Sequence, residues 1–139
     1  TCALPILIMT FGTVYIVWFA KDFIGPFQGF LISIGVPIAT WTAIFVADVT
    51  FINRSYVESD LFNPKGIYGA INWRAISVLI VGTFVGFGFV TNPWFGWQGY
   101  FMDLIGGKSG PWAYANVGVI FALVIGFVGQ WLLQPKRSK

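Results

Sequence analysis

The chain has 139 residues, 57% of them hydrophobic and 9% charged, with eight Lys and Arg against five Asp and Glu and a net charge of +3; its mean hydropathy is +0.78. A water-soluble domain carries about 25% charged residues to cover its surface, so this composition excludes an ordinary soluble domain and points to a membrane protein. There is no His, and the single cysteine, Cys2, cannot close an internal disulfide, which removes the commonest general base, most metal sites and any disulfide scaffold.

Four apolar runs follow in chain order, about 3–20, 23–47, 75–91 and 113–133, and about twenty apolar residues cross the hydrocarbon as a helix. The first, ALPILIMTFGTVYIVWFA, carries no charge and ends on Trp18 and Phe19, residue types that settle at the headgroup interface. The second, FIGPFQGFLISIGVPIATWTAIFVA, is long enough to require a tilt or a kink, and Gly35-Val-Pro37 supplies a kink site within it. Pro37 has no N–H for the carbonyl of Ser33, and Gly35 adds backbone freedom, so the pair reads either as a gating hinge or as a static packing kink. Ser33, Thr40 and Thr42 on this run are expected to bond carbonyls three or four residues back.

The second run ends at Asp48, where the long polar stretch DVTFINRSYVESDLFNPKGIYGAINWRA begins. It holds six of the thirteen charged residues: Asp48, Arg54, Glu58, Asp60, Lys65 and Arg74. An acid at the end of a span is expected to pair at headgroup level with Arg54 or Arg74 in preference to relaying protons. The third run, AISVLIVGTFVGFGFVT, continues into NPWFGW and carries Gly82 and Gly86 at the G-x-x-x-G spacing that lets helix backbones approach closely, a spacing that Gly25 and Gly29 repeat. GGKSG at 106–110 lacks the first Gly of a phosphate loop, since position 102 is Met, and reads as a flexible turn. The fourth run, AYANVGVIFALVIGFVGQWLL, closes at Trp131 and Leu133 before the basic tail QPKRSK.

Residues 1–139 therefore read as a single transmembrane region of an all-α membrane protein with about four transmembrane helices. Four spans place Arg54, Lys65, Arg74, Lys136, Arg137 and Lys139 on one side and only Lys21 and Lys108 on the other. Cytoplasmic loops carry the excess of Lys and Arg, so the loop 49–74 and the C-terminus are expected in the cytoplasm. No basic block interleaves with the aromatic residues, so the charge suits topology and excludes nucleic acid as a partner. The partner these features require is the lipid bilayer.

The order of residues in the polar stretch carries more than solvation. VPIATWTAIFVADV (36–49), Arg54, DLF (60–62), GIY (66–68) and AINWRA (70–75) resemble, in order and spacing, a motif of the nucleobase:cation symporter-1 family, the purine, cytosine, allantoin and hydantoin permeases. The matching motif residues are Asp48, Arg54, Asp60, Leu61, Tyr68, Asn72 and Trp73. Val49 and Phe62 stand where that family usually has Tyr, and Ala70 where it often has Gly.

The resemblance implies a leucine-transporter-type fold, of which this chain resembles spans nine to twelve, the C-terminal fragment of a larger permease. It implies secondary transport of a nucleobase-like ring compound with a coupling cation, sodium or proton, in the plasma membrane. Midplane substrate and cation sites are built on broken helices that the resemblance places in the remaining N-terminal spans, so substrate-binding residues are expected outside this segment, and no catalytic residue, resident metal or other cofactor is expected within it. The run 23–47 matches a span that bends over the substrate as an external gate, which makes Gly35 and Pro37 hinge candidates and leaves Gly82 and Gly86 as helix-packing candidates. A non-transporting four-helix membrane subunit or scaffold is the alternative.

Overall fold

A computed structural model of the chain describes residues 3–18, 22–52, 58–61, 63, 66 and 71–133. Among these residues the regular structure is helical throughout: α1 (Ala3–Trp18), α2 (Ile24–Ala47), α3 (Glu58–Leu61), α4 (Trp73–Gly88), α5 (Tyr100–Leu104) and α6 (Gly118–Leu133). A π-helical turn, Asp48–Ile52, continues α2, and a 3₁₀ turn, Gly107–Ser109, follows α5.

Helix α2 and its π turn supply an apolar segment, Ile24–Phe51, of 28 residues. At the α-helical rise this reaches about 42 Å, more than the roughly 30 Å of a hydrocarbon core. The apolar helices α1, α4 and α6 have 16 residues each, or about 24 Å at the same rise. Two of them are shorter than their apolar runs for a definite reason. At the end of α4, Phe89 N donates to Gly86 O, Gly99 N to Phe87 O and Gly118 N to Phe89 O, so loop amides satisfy carbonyls that a further turn of helix would otherwise take up. Residues 113–117 are turns in which Asn116 takes a positive φ of 49°, and α6 begins only at Gly118.

Helices α2, α4 and α6 pack pairwise into a three-helix bundle. Its contacts run through small residues. A Cβ added to Gly82 would lie 2.5 Å from Thr40 Cγ2, one on Gly86 2.5 Å from Val36 Cγ1, and one on Gly126 2.6 Å from Thr40 O. Val36, Val90 and Ala122 form the buried centre, flanked by Ile32, Ala39, Phe87 and Val119. The large side chains Trp41, Phe45, Phe84, Ile120, Trp131 and Leu132 are exposed instead. Such inversion is unfavourable in water and natural in lipid, where close backbone approach, more than apolar burial, holds helices together. Helix α1 contributes no buried residue and packs against no other element among the described residues.

Candidate functional site

Helix α2 runs unbroken through Gly35 and Pro37. Its two halves are held in different ways. C-terminal to Gly35, the face formed by Val36, Thr40, Ala43 and Ala47 is buried and lies on the glycines of α4 and α6. Thr40 donates to Val36 O at 3.0 Å, as expected of a hydroxyl that returns to its own helix in an apolar setting. N-terminal to Gly35, Ser33 donates to Gly29 O at 3.0 Å and is also met by side chains from the loop after α4.

At Gly35 itself a Cβ would meet nothing within 4 Å. Packing against the described residues therefore does not require glycine there, in contrast to Gly82 and Gly86. Pro37 lines an open groove of about 460 Å³ with Leu79, Ile80, Thr83, Phe84, Phe87 and Trp97. The side chain of Thr83 puts a buried hydroxyl without a hydrogen-bond partner at this groove. Pro37 thus sits at a loosely filled part of the α2–α4 surface, two residues from a glycine with open space beside it.

The loop that joins α4 to α5 opens with an Asx turn, since Asn92 Oδ1 accepts from Trp94 N at 3.1 Å and Phe95 N at 3.4 Å. Asn92 Nδ2 lies 2.8 Å from Gly29 O, 3.2 Å from Ser33 Oγ and 2.9 Å from Gln98 Oε1, and Gln98 Nε2 donates to Ser33 Oγ at 2.8 Å. Asn92 and Gln98 are both buried. Neither was singled out by sequence reading. The signal available was Asn-Pro, a turn initiator, which says nothing of the helix that the turn grips. Further along, where the sequence suggests a flexible turn at GGKSG, the chain forms the 3₁₀ turn Gly107–Ser109, entered through Gly106 at φ 67° and bridged by Lys108 to Asp103 at 3.5 Å. Tyr100 donates to Phe84 O, and burial pushes its hydroxyl above the ordinary value of 10.0.

At the other end of α2, Asp48 opens the π turn and accepts from Gln130 Nε2 of α6 at 3.2 Å. Phe51 of the same turn packs edge-on against Phe127 and also against Trp131. The expected partner of Asp48 was Arg54 or Arg74; Arg54 lies outside the described residues, Arg74 is exposed at the start of α4, and the amide of Gln130 is a partner that sequence reading missed. Tyr68 is likewise outside the described residues, and Leu61 ends α3. Asp60 O accepts from Asn63 N, and Asn63 O accepts from Gly66 N at 2.9 Å; a Cβ on Gly66 would lie 2.8 Å from Asp60 O, so this part of the motif folds back on itself. Asn72 is the N-cap of α4, its Oδ1 accepting from Ala75 N at 3.3 Å, which is the role that Asn before an apolar run performs best. Trp73 beside it is exposed. The motif residues are thus distributed over the end of α2, the turn after α3 and the start of α4; they do not converge on one pocket among the described residues.

Residues 4–109 match a family model described as permease for cytosine/purines, uracil, thiamine, allantoin. The chain is also 24% identical over 129 residues to "Putative purine-cytosine permease YxlA" of Bacillus subtilis (strain 168), a similarity that covers 92% of this chain and 26% of that relative. The chain thus spans about a quarter of the length of that curated relative, in its C-terminal part. No solved structure matches.

Proposed function

This chain belongs to the family of permeases for cytosine/purines, uracil, thiamine and allantoin, an integral membrane family, and on that premise we propose that it is the C-terminal part of a secondary transporter. The transported compound is a nucleobase or related ring of the purine, cytosine, allantoin or hydantoin type. It moves with a coupling cation across the plasma membrane, and the sites for both lie in the remaining N-terminal spans. The four apolar runs are four spans of a leucine-transporter-type fold, corresponding to spans nine to twelve, with the C-terminus in the cytoplasm. Nothing in the family match or the geometry favours a non-transporting four-helix subunit.

The observation that supports a part for this segment in transport is the open space around Gly35 beside Pro37. A gate that closes over substrate needs two helix bends of similar free energy. Proline withholds one backbone hydrogen bond, and glycine lowers the steric cost of changing the dihedrals in the same turn. Gly35 and Pro37 are the hinge in this reading, and the N-terminal half of α2 is the moving part.

Replacing both residues with Ala in the full-length transporter restores the helix ladder and favours the straighter, outward-open form. Uptake is then expected to fall while the protein stays folded. A reporter cysteine below the gate is expected to lose its substrate-induced protection. Unchanged uptake with unchanged protection would show that Gly35 and Pro37 serve static packing.

A further inference from the structure

Gly35 divides α2 by the kind of contact that holds it. C-terminal to it, the glycines of α4 and α6 lie against Val36, Thr40 and Ala43, in contacts that are apolar or between backbones. N-terminal to it, the hydrogen bonds from the α4–α5 loop reach Gly29 O and Ser33 Oγ. Gly25 and Gly29 extend this seat, because a Cβ on Gly25 would lie 2.7 Å from Trp94 Nε1 and one on Gly29 2.8 Å from Asn92 Oδ1. The small-residue spacing at 25 and 29 therefore receives a loop where a neighbouring helix was the ordinary expectation. The loop in turn is fastened to α4, through Gly99 N on Phe87 O at 2.8 Å and the edge-on pair of Phe87 and Trp97 at 5.2 Å.

We infer that the Asn92–Gln98 loop is a latch that holds the N-terminal half of α2 in line across the Gly35–Pro37 hinge and must let go for that half to tilt. The inference rests on the hinge reading of α2 given above. What distinguishes a latch from a permanent brace is where each polar group goes on release. The Asn92 Nδ2 amide has two hydrogens and three acceptors in reach, one of them Gln98 Oε1 in its own loop. Asn92 Oδ1 stays on Trp94 N and Phe95 N. Ser33 keeps Gly29 O as its acceptor within α2. Of the side-chain groups in the knot, Gln98 Nε2 alone has its hydrogen bond directed only across the gap. An orphaned buried donor is expensive, so a release that strands Gln98 Nε2 and one of the two Asn92 Nδ2 hydrogens is within reach of a two-state gate, whereas one that stranded every polar group of the knot would not be.

Amide hydrogen exchange in the full-length transporter tests this, because exchange reports local opening segment by segment. Ser33→Ala removes an acceptor from both loop amides without touching the bundle, and Asn92→Ala removes the centre of the knot. In both variants exchange across residues 24–34 is expected to quicken by about tenfold, the scale of one lost buried hydrogen bond, while residues 38–47 exchange as in the wild type. Unchanged exchange across 24–34, or an equal rise in both halves for Ser33→Ala, overturns the latch. Because the readout needs no substrate, its failure is distinct from a failure of the transport reading, which uptake by the hinge variant decides.

Discussion

Gln130 Nε2 of α6 donates to Asp48 Oδ1 across 82 residues of sequence, where α2 gives way to its π turn. π turns interrupt the ordinary helical ladder and recur at places where a side chain has to be aimed. Here the aimed side chain is a carboxylate, and the amide that meets it is itself buried, with its Oε1 left without a partner. A double-mutant cycle with Asp48→Asn and Gln130→Met is expected to return a coupling of about 1 kcal/mol in the thermal stability of the detergent-solubilised transporter. Strictly additive effects would show that the contact carries no stability.

Glycines that look alike in the sequence are expected to respond in opposite directions. Gly86→Val places side-chain atoms where Val36 Cγ1, Ala122 Cβ and Gly118 O already stand. Overpacking of that kind is expected to destabilise by about 1–3 kcal/mol, read as a lower melting temperature.

Gly35→Ala meets empty space, and Ala in a helix interior is favoured over Gly by about 0.5–1 kcal/mol. The variant is expected to be at least as stable as the wild type and slower in transport. Lower stability with unchanged transport would show that Gly35 serves packing against spans outside this segment.

The proposed topology rests on the distribution of cations, six in the loop 49–74 and the tail against two elsewhere. Single cysteines at Ser59 and at Ser109, with Cys2 replaced, are expected to react with an impermeant reagent from opposite sides of the membrane. Reaction of both from one side would sink the four-span arrangement.

These 139 residues alone are expected to show no saturable uptake of a nucleobase when reconstituted in liposomes, because the proposed fold puts its midplane sites on broken helices of the remaining N-terminal spans. Saturable uptake by the purified segment would place substrate binding within α1 to α6.

Several of these features are legible in the sequence by itself. Long uncharged runs, a low share of charged residues and cations confined to the stretches outside the runs specify helices in lipid, because each is a property of composition or of neighbours along the chain. The motif from Asp48 to Trp73 was legible for the same reason, and so were the residue types that make Gly35 and Pro37 hinge candidates, since a missing N–H and a missing Cβ are written in the residue names. Even the capping role of Asn72 is local, three residues from the amide it accepts.

Contacts between distant segments were decided only in the tertiary structure. Gly35, Gly82 and Gly86 are the same letter, and only the position of α2 against α4 and α6 shows that two of them face Thr40 and Val36 while the third faces open space. Helix α4 stops at Gly88 although its run stays apolar to Val90, because Gly99 and Gly118, which close on its carbonyls, arrive from two later turns. Asn92, Gln98 and Gln130 are ordinary polar residues in sequence. They became a latch and a tether because partners 59 to 82 residues away were brought within hydrogen-bond distance, in an apolar surrounding that offers a buried amide few other partners.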